Sequence, residues 1–201
     1  RVVRVLLLGR PAPRHGYGRH AHSPVAQRDA MAHIHEKIDW TVVVFIVHKD
    51  RVLLRMHEKY KRLLGVGGHV ELDEDPLAAA KRECMEEVGL AIHITGEDEP
   101  QRFLKDRLRT LPRPAHMNIH WISDVHQHIG VVYYATSEST DVTPENPDDA
   151  WEWLTKEEIE KRDDIVDDIK YYAIGALDVC GSKGVSSSCR KPPAWCFQSD
   201  A

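Results

Sequence analysis

Residues 68–90 read Gly-His-Val-Glu-Leu-Asp-Glu-Asp-Pro-Leu-Ala-Ala-Ala-Lys-Arg-Glu-Cys-Met-Glu-Glu-Val-Gly-Leu. Asp75 is placed to cap a helix, Pro76 to occupy its first turn, where no amide hydrogen is needed, and Gly89 to end it in the left-handed conformation. Residues 77–88 contain no breaker, which predicts a helix of about three turns. At about 100° per residue, Leu77, Ala80, Cys84 and Val88 share one apolar stripe, which must lie on a sheet. Glu83, Glu86 and Glu87 gather on the opposite side. Like charges so placed each cost a few tenths of a kcal/mol, and Arg82, which reaches Glu86 at i+4, cannot neutralise three carboxylates. A divalent cation can. Oxygen donors around a partly hydrated octahedral ion suit Mg²⁺ or Mn²⁺, which draws further ligands from water and phosphate, so the pattern points toward phosphoryl chemistry. Taken alone, three such glutamates are more often a solvated acidic helix face, and it is the segment before the helix that decides against that reading.

Upstream of this segment, residues 39–48 (Asp-Trp-Thr-Val-Val-Val-Phe-Ile-Val-His) are apolar and mostly β-branched, the composition of a strand covered on both faces. Lys49-Asp50 makes a turn into a second strand over 51–56, and a short strand over 64–71 is interrupted by Gly65, Gly67 and Gly68. Downstream, residues 91–95, 117–122, 129–136 and 150–154 read as strands. Thr155 and Glu158 form a capping box for a helix over 156–161, and residues 168–179 form a last amphipathic helix. There is no internal repeat.

The chain has 201 residues, of which 42% are hydrophobic and 29% charged, and its net charge is −5. That charge is unevenly spread. Residues 1–30 carry six arginines and a single acid, and residues 181–201 carry three bases and one acid, which leaves 18 bases against 30 acids in residues 31–180. A centre of that sign repels nucleic-acid backbones and suits bound cations. The organisation expected is a basic, disordered arm over 1–30, one domain over 31–180, and a disordered tail over 181–201. The first arm is arginine-rich and poor in acids, as organelle transit peptides are, yet it forms no convincing amphipathic helix. No apolar run approaches the roughly 20 residues of a membrane span. Cys84, Cys180, Cys189 and Cys196 form no C-x-x-C pair, so a reducing, cytoplasm-like compartment is expected.

From Gly68 the spacing is Gly-x5-Glu-x7-Arg-Glu-U-x-Glu-Glu-x-Gly-U, with Glu74, Arg82, Glu83, Glu86, Glu87, Gly89 and Leu90 at the set positions. This resembles the signature of the Nudix hydrolases, U being an aliphatic residue; Cys84 at the first U is the one soft departure, a small buried thiol in place of a branched side chain. The resemblance extends over most of residues 38–180. It implies an α/β fold, a Nudix-type α/β/α sandwich with a mixed β-sheet. It also implies a Mg²⁺-dependent enzyme (Mn²⁺ being the alternative) that directs water onto the pyrophosphate bond of a nucleoside diphosphate linked to another moiety. Carried over residue by residue, Glu86 and Glu87 become metal ligands, Glu83 a ligand or the base that activates water, and the carbonyl of Gly67 or Gly68 a further ligand. Arg82 orients the carboxylates and Glu74 braces the loop. The implied partner is a small nucleotide-type molecule, with neither membrane nor nucleic acid; oligomeric state is left open.

Other residues are weaker candidates. Glu145, in Thr-Pro-Glu-Asn-Pro-Asp-Asp, is the loop acid best placed to serve as general base if the helix does not supply it. Arg55, Lys59, Lys61 and Arg62 precede the box, and Arg55, His69 and His128 are taken as substrate-binding candidates. His116, His120, His126 and His128, with Asp124 among them, contain enough donors for a zinc site, but strand alternation is expected to separate His120 from His128, and contact with phosphate or base is the commoner role. Two other functions share the fold. A nucleotide-sensing regulator is disfavoured by the intact carboxylates and the lack of a DNA-binding pattern, and a diphosphate isomerase by the core-facing position expected of Cys84. Substrate choice is assigned to loops around 98–116 and 137–149.

Overall fold

The computed structural model describes residues 34–57, 61–99, 108–146 and 149–181. The two arms expected over 1–30 and 181–201 therefore lie outside the described residues, apart from Gly181. Within them the chain runs β1 (Ile38–His48), β2 (Arg51–His57), β3 (Arg62–Leu64), α1 (Pro76–Val88), β4 (His93–Ile94), β5 (His116–Ser123), β6 (His126–Thr136), β7 (Trp151–Leu154), α2 (Lys156–Lys161) and α3 (Asp167–Cys180). The strands form one mixed sheet in the order β3-β2-β1-β6-β4, with β5 joined to β6 and β7 to β2. β1 and β6 are parallel over ten register pairs, from Ile38 opposite Gln127 to Val47 opposite Thr136; the other strand pairs are antiparallel.

The unbroken apolar character of β1 follows from its central position. Val42, Val44 and Ile46 pack with Ala79, Ala80, Cys84 and Val88 of α1, while Phe45 and Val47 pack with Ile159 of α2 and with Ile169, Ala173 and Ala176 of α3. Alternate side chains thus fill two separate cores, one on each face, and the result is an α/β/α sandwich with a mixed sheet. At roughly 1.5–3 kcal/mol for each fully buried aliphatic or aromatic side chain, these two cores hold the sheet in place. Among the described residues no helix is long and apolar enough to cross a membrane.

Two expectations are modified. The third strand begins at Arg62 and ends at Leu64, and beyond it only isolated bridges persist, Val66 with Val44 and His69 with Thr41. Close approach explains the glycines there: a Cβ on Gly67 would stand 2.0 Å from the Val42 carbonyl oxygen, so this stretch can run against β1 only without a side chain. The expected strand over 91–95 shrinks to His93–Ile94, paired with Ala135 and Thr136 at the end of β6.

Candidate active site

The helix α1 is built as its termini dictate. The Asp75 side chain accepts hydrogen bonds from the amides of Leu77 and Ala78, and Gly89 ends the helix at φ 67°, donating back to the last turn. The chain segment after β6 then docks on this end: the Thr143 amide donates to the Val88 carbonyl and the Glu145 amide to the Glu87 carbonyl. A Cβ on Gly89 would lie 2.9 Å from the Thr143 Cβ. Gly89 therefore serves both the turn and the docking.

Arg82 organises the outward face. Its guanidinium donates to Glu74 at 2.6 and 3.1 Å, to Glu83 at 2.8 Å, to Glu86 at 2.9 Å and to the His69 carbonyl at 3.0 Å. Glu74 also accepts from the Glu71 amide, which ties the loop before the helix to the same cation. Only a planar fork with five donors can serve this many acceptors at once. Glu86 is exposed, whereas Glu83 and Glu87 are largely buried. The Glu83 carboxylate lies against Gly68, so close that a Cβ there would be 2.3 Å from its Oε1.

Glu87 is held from the other side. Arg55 of β2 donates to it at 2.5 Å and also to Asp149 at 2.7 and 3.1 Å, and the Gly67 amide donates to its second oxygen at 3.1 Å. Burial pushes the Glu87 carboxyl up to about 7, with Glu83 and Asp149 adding to the rise and Arg55 and the Gly67 amide opposing it. Burial likewise raises Glu83, against the pull of Arg82. Two buried carboxyls whose ionisation is opposed by desolvation and by neighbouring carboxylates are stabilised as anions by a nearby cation. A donor set of carboxylates and a peptide carbonyl suits a hard divalent ion. The Gly68 carbonyl accepts from the Val42 amide at 2.8 Å, whereas the Gly67 amide points to Glu87.

The sequence candidates are thus distributed as follows. Glu83, Glu86, Glu87, Arg82, Gly67, Gly68 and Arg55 come together at one end of α1. Glu145 reaches the same end through its amide, and its charge acts on Arg55. His69 and His128 approach one another instead, with ring centroids 4.9 Å apart. His128 is the register partner of Asp39, and His120 that of His128, so strand alternation unites His120 and His128 instead of separating them. The alternation of β1 and β6 turns Asp39 and His128 to the face covered by α3, away from α1. Asp149 was not singled out from sequence. It is buried and 94 positions from its partner Arg55, a separation that no local pattern signals. Cys84 is fully buried, and desolvation pushes its thiol well above the usual range, which leaves it packed and unreactive.

A mixed α/β/α sandwich with a carboxylate-rich helix end above a glycine loop defines the class of protein, and comparison with known proteins places it. The NUDIX domain family model matches residues 37–173. A NUDIX-family hydrolase from Clostridium perfringens superposes with a TM-score of 0.62 at 35% identity, covering 70% of this chain and 97% of that one. A MutT NUDIX hydrolase from Burkholderia pseudomallei gives a TM-score of 0.49 at 18% identity over 69% of this chain and 98% of that one. No curated protein sequence matches. The chain belongs to the NUDIX family and is a Nudix hydrolase.

Proposed function

We propose that this Nudix hydrolase is a Mg²⁺-dependent pyrophosphohydrolase, with Mn²⁺ as the alternative ion, acting on a nucleoside diphosphate linked to another moiety. The observation that carries the proposal is the placing of Glu83 against Gly68 and of Glu87 on the Gly67 amide, with Glu86 beside them on the same helix, Arg82 bonded to Glu83 and Glu86, and Arg55 bonded to Glu87. In this reading Glu83, Glu86, Glu87 and the Gly67 carbonyl hold the ion. Once bound, a divalent cation acidifies a coordinated water and offsets charge developing on phosphate oxygens. If Glu83 is not taken up as a ligand, it is the carboxylate of the helix that accepts the proton of the attacking water. Glu145 is the alternative base, carried by a segment that bonds to the end of α1. Arg82 fixes the orientation of Glu83 and Glu86, and Arg55 that of Glu87. In this reading Arg55 is the candidate phosphate contact on the side of α1, while His69 and His128 lie on the face of the sheet covered by α3.

The test is a panel of nucleoside triphosphates, dinucleoside polyphosphates and nucleotide sugars, assayed for phosphate-containing products with Mg²⁺ and with chelator, for the native protein and for Glu86→Gln. The expected result is cleavage of at least one nucleotide class that is lost in chelator and falls at least about 100-fold in the variant. Undiminished turnover by a folded Glu86→Gln protein refutes the metal role. Activity confined to diphosphates that carry no nucleoside refutes the substrate class.

A further inference from the structure

Across the sheet from the glutamates lies a second cluster of ligating groups that the hydrolytic site does not use. Asp39 on β1 is fully buried, and its neighbours are His128, directly opposite it on β6, His126 two residues earlier on the same face, and His69, bridged to β1 at Thr41. One ligand atom from each of Asp39, His126 and His128 lies within 4.8 Å of the others. His126 Nε2 stands 3.3 Å and His69 Nε2 3.4 Å from the same Asp39 oxygen, Oδ2. Zinc bonds to nitrogen and oxygen of about 2.0–2.1 Å in a tetrahedron give ligand-to-ligand edges of about 3.3 Å, and these two separations match them.

The surroundings orient the ligands as metal sites do. Asp39 is fixed by amides of the preceding turn, His35 donating to Oδ1 at 2.5 Å and Ile34 to Oδ2 at 3.0 Å. His126 Nδ1 lies 3.2 Å from the Glu36 carbonyl oxygen. A carbonyl only accepts, so Nδ1 carries the hydrogen, and Nε2 faces the Asp39 carboxylate. A carbonyl bonded to the outer nitrogen is also the usual support of a metal-bound histidine. Imidazole and carboxylate donors together suit a borderline divalent metal of the zinc class better than Mg²⁺.

We infer that Asp39, His126 and His128, with His69 beside them against the same Asp39 oxygen, form a structural site for a zinc-class divalent metal on the face of the sheet opposite the Nudix glutamates. The site joins β1 to β6 and pins the turn after Gly68, whose His69 carbonyl is the one that Arg82 grips. Its occupation therefore steadies the loop that the hydrolytic site relies on, without touching substrate.

The test is titration of the chelator-stripped full chain with Co²⁺, followed by displacement with Zn²⁺, in the native protein, in Glu86→Gln/Glu87→Gln, and in His126→Gln. The expected result is one tightly held Co²⁺ per chain with the intense visible bands of tetrahedral coordination, displaced by Zn²⁺ and unchanged in the double glutamate variant. In His126→Gln the affinity falls at least about 10–100-fold, the loss typical when even a supporting partner of a ligand is removed. Because the native protein is itself titrated, a His126→Gln chain that fails to fold leaves the test intact. Absence of tetrahedral Co²⁺ from the folded native protein, or its loss in the glutamate variant, overturns the inference and leaves the cluster as a proton-bridged Asp-His group.

Discussion

Glu87 offers the sharpest test of how the site is built. Its carboxyl is raised from an ordinary 4.5 to about 7, chiefly by burial. In the metal-free protein the native state therefore holds this proton more tightly than the unfolded chain does. The stability linked to that proton is fully present below about pH 4.5 and is lost as the pH rises through about 7. At 1.36 kcal/mol per pH unit the loss is on the order of 3 kcal/mol. Glu87→Gln keeps an oxygen for the Gly67 amide but carries no charge to desolvate. Thermal denaturation in chelator at pH 5, 6, 7 and 8 should show the native protein losing stability relative to the variant across this interval. At 2–4 °C per kcal/mol for a domain of this size, the two midpoint curves should diverge by about 6–12 °C, a difference in which other titrating groups cancel. Adding Mg²⁺ at pH 8 should restore the native protein and have little effect on the variant. Curves that run parallel from pH 5 to pH 8 would refute the account of Glu87 as a carboxylate under electrostatic load.

Three further outcomes follow from the geometry. In Gly68→Ala the added methyl stands 2.3 Å from Glu83; overpacking should cost about 1–3 kcal/mol and displace the carboxylate, which kinetics and denaturant titration would register together. Arg82→Lys replaces a five-donor fork with a point charge and should lose about 1–3 kcal/mol of stability. Turnover should fall as well, with the loss mainly in kcat, because Glu83 and Glu86 are no longer oriented. Gly89→Ala forces a side chain into a left-handed position facing Thr143 and should cost at least about 1–2 kcal/mol in urea unfolding.

Much of the fold was legible because its determinants are local. The limits of α1 rest on Asp75, Pro76 and Gly89, each of which acts within a turn of itself, and the capping box of Thr155 and Glu158 starts α2 where expected, with both reciprocal bonds formed. The apolar run of β1 announced a strand buried on both faces. The expected strands over 64–71 and 91–95 proved shorter, since strand limits depend on what a neighbouring chain offers, and the glycines at 65, 67 and 68 answer to the closeness of β1. Of the candidate site, the spacing of Glu83, Glu86 and Glu87 is a property of one helix and could be read directly.

By itself, then, the sequence determined the helix, its three carboxylates, the glycine loop before it, and through them the family. Tertiary structure alone decided that Arg55 and Asp149 meet at Glu87, that the Gly67 amide reaches Glu87 while the Gly68 carbonyl is held by β1, and that His69, His126 and His128 surround Asp39. The physical reason is distance along the chain. Asp39 and His128 become neighbours through a parallel strand pairing 89 positions apart, and such pairings depend on how two cores pack against one sheet, which no local spacing encodes.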